Sequence, residues 1–362
     1  MNIIIFIIIL LILVLVHECG HFFSAKLFGI RVDEFGFGFP PKLFGKKIGE
    51  TEYTLNALPF GGFVKIFGED PDEENTNGVD TSRSFTNKPR WKQAIVLVAG
   101  IFSNFLLAWL LFSVGFMSGF PTSVGSQPSG YTPQNVNLVI LSVLQKSPAE
   151  AAGLKIGDKI VFIKSGKNVT DQISAETVKS YVELGKKIEI GYLRGKDVTY
   201  NMTEITPKND NGDYSIGISM DQIGTVKLPF FVALWEGLKL DWNVTKGTVS
   251  GLYSLIKDGI AGKGSFSSVT GPVGMVGIVG DAYKFGFVYL MSFMALISVN
   301  LAVINIIPFP ALDGGRLLFL LIEKIKGRRL NPKFANMANM IGFVILIILM
   351  LLVTYHDVIK LF

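Results

Sequence analysis

Four long apolar runs divide the chain, and everything polar is arranged between them. The first, MNIIIFIIILLILVLV, carries no charge before Val16, and its helical continuation to Phe23 is long enough to cross a ~30 Å hydrocarbon layer. Comparable runs predict spanning helices at 93–119, 286–307 and 339–355. Between the first two, RVDEFGFGFP and KKIGETEYTLNALPFGGFVKIFG read as short strands with glycine bends within 31–67. The acidic run EDPDEEN that follows reads as an exposed loop. A Ser-, Pro- and Gly-rich stretch then leads into a module over 124–220. Its runs NLVILSVL, DKIVFI, KKIEIGYL and DVTYNMTEI alternate as strands do, and SAETVKSYVEL is helical. Residues 221–285 mix aromatics, Leu and Lys at helical spacing, an amphipathic linker for the membrane interface. The predicted fold class is a multi-pass α-helical membrane protein with four transmembrane helices. The N-terminal half, 1–119, carries the short β segments, and an inserted β-rich domain separates it from a C-terminal half, 286–362.

Composition agrees with the pattern. Of 362 residues, 49% are hydrophobic against 17% charged, and mean hydropathy is +0.44, which excludes an ordinary soluble domain. Charge sets the expected orientation. Lys88, Arg90 and Lys92 precede the second run, and PFPALDGGRLLFLLIEKIKGRRLNPK separates the third from the fourth, so both loops are expected inside and both termini outside. The N-terminus lacks a basic region and a small-residue cleavage site, so it is expected to stay as a spanning helix rather than leave as a signal peptide. A net charge of +5 without a basic and aromatic pattern predicts no nucleic-acid partner. One cysteine, Cys19, excludes an intrachain disulfide.

Against this apolar background, VHECGH stands out. His17 and His21 are four residues apart and share one helix face, where both can offer a nitrogen to one zinc, and Glu18 can reach a water at the metal without ligating it. Ionisable groups in hydrocarbon need a function or a partner. A purely structural zinc would fill four positions with protein ligands, and no further His or Cys cluster supplies them. A hydrolytic site needs a third ligand, and Asp313 lies on the same predicted inner side as His21. An Asp before two glycines also suits a helix cap or a turn. Pro308 and Pro310 stop a helix and fix the chain around Asp313, while Gly314 relieves crowding beyond it. Asn305 suits an oxyanion or substrate contact, or else packing and capping. Asn104, midway along the second run, is a weaker candidate that can equally tie helices together.

These motifs resemble the site-2 protease family, the intramembrane zinc metalloproteases, and within it the bacterial members with a single PDZ domain. The resemblance covers nearly the whole chain. It rests on His17-Glu18-Cys19-Gly20-His21, on the NxxPxPxxDG string at Asn305, Pro308, Pro310, Asp313 and Gly314, on GFGFP at 36–40, LPFGGFVKI at 58–66, AGxxxNFLLA at 99–108 and GPVG at 271–274. Ile101 replaces a proline common in the family. SPAEAAGLKIGDKI, Ser147–Ile160, resembles the family's PDZ signature; read without it, the same stretch is a turn that sends Leu154 and Ile160 into a core.

The resemblance implies one Zn2+ per chain held by His17, His21 and Asp313, with Glu18 as the general base of an endopeptidase acting within or near transmembrane segments. It implies single-span membrane protein substrates such as anti-sigma factors or remnant signal peptides, already shortened by a first cleavage. It implies that the β segments within 31–67 are membrane-associated, and strand edges at 36–39 or 53–66 would hold the unwound substrate. It further implies a monomer in the lipid bilayer of a bacterial cytoplasmic membrane, the active site towards the cytoplasm and the PDZ domain outside. A catalytically inactive, metal-retaining PDZ scaffold and a zinc transporter are the alternatives. The transporter lacks any evident relay of ligands.

Overall fold

The computed structural model describes residues 1–69, 81–195, 198–210, 212–262 and 270–359. The acidic run EDPDEEN falls almost wholly outside them. The chain divides into two compact units: a mainly helical one of 1–112, 237–280 and 292–362, and a β-rich one of 113–236 with 281–291. Among the described residues, four helices are long and apolar enough to cross a membrane.

The first of these, α1 (Asn2–Leu27), runs four residues further than its apolar pattern predicts. Its buried positions are Ile9, Leu13, His17, His21 and Ala25, every fourth residue, while Ile3, Ile4, Ile8 and Ile12 are exposed. One stripe thus packs on protein and the rest is left for lipid. The two histidines lie on the packed stripe. α2 (Arg90–Ser118) approaches α1 where Gly20 meets Ala99: a Cβ on Gly20 would lie 2.3 Å from the Ala99 carbonyl oxygen.

Between these helices, β1 (Val32–Ile48) and β2 (Thr51–Ile66) form an antiparallel sheet whose register is broken by bulges. The sequence predicts separate short strands with edges at 36–39 or 53–66. Instead β2 bends back, so that Phe35 pairs with both Tyr53 and Val64, and Gly36 with both Thr54 and Phe63. Residues 34–37 are therefore interior, and 53–55 are paired on both sides as well. Residues 62–66 are left as an outer strand, with 42–48 on the opposite side. Ile30, Val32 and Ile66 are buried with Ala25, Phe85, Val96 and Leu97, which anchors the sheet to both helices. Glu50, in the turn between the strands, pairs with Lys26 and Arg83.

In the β-rich unit, β3 (Phe120–Ser123), β4 (Gln134–Val143), β5 (Lys159–Ser165), β6 (Asn168–Thr170), β7 (Ile188–Leu193), β8 (Asn201–Ile205) and β11 (Ile218–Val226) form one sheet in the order β3-β11-β4-β5-β7-β8, with β6 on β5. β9 (Lys208–Asp210) and β10 (Asp213–Ser215) make a separate hairpin. Because β11 continues to Val226, the sheet outruns the expected boundary at 220. Helices α3 (Pro148–Ala151) and α4 (Ala175–Glu183) start from Ser147 and Ser174, each accepting a backbone N–H three residues on. Leu154 and Ile160 are buried with Ile140, Ile163, Ile188 and Ile190, and Gly153 and Gly157 adopt φ of 78° and 85° at the bends. Asp158 is fully buried and receives two hydrogen bonds from Arg194.

The remaining helices are α5 (Phe230–Ile260), α6 (Pro272–Phe285), α7 (Phe287–Ile306), α8 (Asp313–Lys326) and α9 (Pro332–Ile359). Most of the expected linker 221–285 is thus helical. Ser298 of α7 donates to the Asn104 carbonyl of α2 at 2.8 Å. α9 starts seven residues before the predicted span, since its polar first turns still carry helix. Buried Asp357 near its end accepts the N–H groups of Gly271 and Gly274, capping α6.

Candidate metal centre

The turn 307–312 between α7 and α8 determines where Asp313 arrives. Pro308 and Pro310 cannot continue α7, and Ala311 takes a left-handed φ of 76°, its N–H held by Asn339 Oδ1 at 3.2 Å. Asp313 is the first residue of α8, with no side-chain cap before it. Close packing makes this arrival possible: a Cβ on Gly314 would lie 2.2 Å from the Ile307 oxygen, and one on Gly315 2.2 Å from that of Phe309.

Asp313 Oδ2 lies 3.1 Å from His17 Nε2 and 3.3 Å from His21 Nε2, and the two imidazole nitrogens are 3.2 Å apart. Both histidines are buried and Asp313 is largely so. Although close to both rings, Asp313 Oδ2 makes no well-directed hydrogen bond and is shut off from solvent. Three lone-pair atoms so near one another repel unless a cation joins them. The triangle also has the right size: zinc bonds of ~2.0–2.1 Å in tetrahedral array put neighbouring ligand atoms about 3.3 Å apart.

The outer ring nitrogens face α2. His21 Nδ1 donates to the Val96 carbonyl at 2.8 Å, which leaves its Nε2 lone pair for a metal. His17 Nδ1 lies 3.5 Å from Asn104 Nδ2, and Asn104 Oδ1 is buried without a partner. Exchanging the two ends of that amide lets Oδ1 accept from the His17 Nδ1–H and removes the orphan. The sequence offers Asn104 as a weaker substrate candidate or as a tie between helices; it lies against the His17 ring and also lines the cavity at the triangle. Gly100 enters the sequence only as part of the AGxxxNFLLA string, without a role of its own; a Cβ there would lie 2.3 Å from His21 Nε2. A small residue inside an apolar helix gives no signal beyond its size.

A cavity of about 510 Å³ opens at the triangle. Glu18 and Asn305 line it, as do Asn104, Arg316 and the outer strand Phe63–Ile66. Pro308 and Pro310 stay in the supporting turn and do not line it. Arg316, one turn beyond Asp313, pairs with Glu69 at the cavity wall.

Two imidazoles one helical turn apart, a distant carboxylate meeting them, a glutamate in the same cavity and helices fit for a bilayer define a membrane metallopeptidase as a class. The chain belongs to peptidase family M50, whose model matches residues 5–349. It is 38% identical over 350 residues to a protein of Clostridium perfringens bearing a zinc metalloprotease name, covering 96% of this chain and 95% of that one. It is 29% identical to the zinc metalloprotease RasP of Geobacillus kaustophilus, covering 100% and 98%. The PDZ domain of an SdrC-like protein from Listeria monocytogenes aligns at 24% identity over 23% of this chain and 86% of that domain, with a TM-score of 0.20, too low to define a fold. The chain is a zinc metalloendopeptidase by family.

Proposed function

We propose that this chain cleaves peptide bonds within or near transmembrane segments of other membrane proteins, with zinc held by His17, His21 and Asp313. The observation supporting this reading is the buried triangle of Nε2, Nε2 and Oδ2 with sides of 3.1–3.3 Å. Zinc, when bound, supplies Lewis-acid polarisation of the scissile carbonyl and makes a nearby water more acidic. Glu18, in the same cavity, takes the proton from the attacking water and delivers it to the departing amide nitrogen. Asn305, which lines the same cavity, would hold substrate backbone or the developing oxyanion.

A transmembrane substrate must be unwound before its amide can be attacked, and its freed N–H and C=O groups need new partners. The outer strand 62–66 lines the cavity through Phe63–Ile66 and is the edge available to it, whereas 36–37 are paired on both sides. Basic flanks at Lys88–Lys92 and Arg328–Lys333 orient the α2 and α9 starts towards the cytoplasm of a bacterial cell, with the β-rich unit outside. That unit, read as a PDZ domain from its Ser147–Ile160 sequence, has a groove between α4 and residues 214–220 that suits an extended peptide.

The test is cleavage of single-span substrates by purified wild type and Glu18→Gln, with zinc measured in both. Glu18→Gln should keep its zinc and lose turnover. Unchanged cleavage would remove Glu18 from the chemistry.

A further inference from the structure

Away from the metal, the start of α2 and the outer face of α8 enclose a second feature. Leu317, Leu320, Leu321 and Lys324 recur at helical spacing along α8 and face Arg90, Trp91 and Ala94 across a groove of about 670 Å³. Its floor is leucine and alanine, and its rim carries two cations, Arg90 and Lys324. Lys88 lies beside them in a neighbouring cavity that shares Arg90 and Leu320. The side chains of Lys88, Arg90 and Lys324 make no ion pair or hydrogen bond among the described residues. The nearby acids are engaged: Glu69 by Arg316, and Glu323 by the Leu330 N–H at 2.9 Å. The Lys88 ammonium is pushed below its usual range by burial and then by Lys92 and Arg83.

We propose that this groove is a binding site for one anionic phospholipid, its headgroup phosphate between Arg90 and Lys324 and an acyl chain along Leu317, Leu321 and Ala94. Charge complementarity selects the occupant. A neutral apolar partner would leave the cations unmatched, and an acidic peptide would leave the leucine floor bare. The height along the helix fits too, since Arg90 is the first residue of a candidate span and Ala94 lies one turn inside it, where a headgroup gives way to hydrocarbon. Trp91 is exposed at the same level, its ring edge-on to Phe28 at 5.5 Å, as interfacial tryptophans are. Basic pockets between helices on the cytoplasmic side are the usual seat of such lipids. α8 also carries Asp313 at its start, so the lipid would steady the helix that brings the third donor.

The experiment uses the full chain in neutral detergent, titrated with phosphatidylglycerol or phosphatidylcholine and followed by native mass spectrometry. Wild type should retain one phosphatidylglycerol at least tenfold more tightly than phosphatidylcholine. Arg90→Gln with Lys324→Gln should weaken that binding by about thirtyfold, while Arg90→Lys with Lys324→Arg should keep it. Dibrominated phosphatidylglycerol should quench Trp91, measured as the difference from Trp91→Phe. Equal retention of both lipids, full retention by the uncharged pair, or displacement of the lipid by an acidic peptide would overturn the assignment. Zinc content and thermal midpoint, unchanged in the charge-conserving pair, separate lost binding from lost fold. No readout depends on peptide cleavage, so this site and the proposed activity fail separately.

Discussion

Gly100→Ala tests the metal centre by adding a single methyl group. The new Cβ would lie 2.3 Å from His21 Nε2, 2.5 Å from Cε1 and 2.8 Å from Cδ2, against ordinary carbon contacts of ~3.5–4.0 Å. Relief requires the ring or the helix to retreat by roughly 1 Å or more. Neither has slack. His21 Nδ1 is held by the Val96 carbonyl on α2 itself, and Nε2 is one corner of the triangle with His17 and Asp313. α1 and α2 already touch backbone to backbone at Gly20 and Ala99. Overpacking of this kind costs about 1–3 kcal/mol in stability. The larger effect falls on the metal, because a retreat of that size removes one of three donors. Loss of a supporting contact alone weakens metal sites by about 10–100-fold, and displacing a ligand should do at least as much. The assay is zinc per chain in purified protein, then competition with a graded chelator, alongside cleavage. Gly247→Ala in α5, where an added Cβ meets nothing within 4 Å, is the control and should be neutral or stabilising by up to ~1 kcal/mol. Wild-type zinc retention by Gly100→Ala would refute the reasoning.

Three further outcomes follow from the same structure. Asn104→Leu should lower zinc affinity by about 10–100-fold with the fold retained, since His17 loses the acceptor for its Nδ1–H; unchanged competition against a chelator would assign Asn104 to helix packing alone. The Glu50 carboxyl is held down to about 2 by Arg83 and Lys26, from an ordinary 4.5. A depressed carboxylate stabilises the fold above its unfolded pKa and loses that contribution as pH falls through the folded one. The gap in thermal midpoint between wild type and Glu50→Gln should therefore be full at pH 6, shrink below 4.5 and vanish near 2. Solvent access limits it to about 1 kcal/mol or less; a gap that widens on acidification would contradict the pairing. Arg194→Met leaves the wholly buried Asp158 carboxylate without its counter-charge and with the Lys155 N–H as its remaining donor. It should destabilise the β-rich unit by about 3 kcal/mol in hydrogen exchange on the full chain, and Asp158→Leu added to it should restore part; a change within about 0.5 kcal/mol would remove the pair from that unit's stability.

What the sequence revealed was set by how local each feature is. His17, Glu18 and His21 share one helix, where spacing alone fixes the face, so their grouping was legible. The four spans were legible for the same reason, with ends displaced where polar first and last turns remain helical, as at Pro332–Asn339 and Ser24–Leu27. Asp313 was legible only at one remove, through the charges that put its turn on the same side as His21. The strand pairing was not. Glycine bends foretold strands, but bulges let β2 pass β1 twice, and that decides that 62–66 offers an edge while 36–37 are closed on both sides. Nor was the fit of Gly20 and Gly100, since a glycine within an apolar helix looks the same whether or not another backbone presses on it.

The orientation of the two imidazoles depends on α2, which contributes no donor to the triangle. His21 Nδ1 points to Val96 and His17 Nδ1 to Asn104, eight residues apart on that helix and in opposite chain order, as antiparallel neighbours require. Fixing both outer nitrogens on α2 leaves both inner nitrogens to Asp313, with His21 Nε2 passing close over Gly100. The stripe Ile9, Leu13, His17, His21 and Ala25 makes this possible. Steps of four residues on a helix of 3.6 per turn rotate by about 40° each, so the packed face of α1 winds as it descends. It has turned to α2 at the histidines and reaches the core under the sheet at Ala25. Glu18, next to His17 and roughly 100° around the helix, falls off that stripe and into the cavity instead. A run of isoleucine and leucine sets the helix, but which residues follow the winding stripe and which leave it decides that the imidazoles are fixed while the carboxylate beside them faces open space.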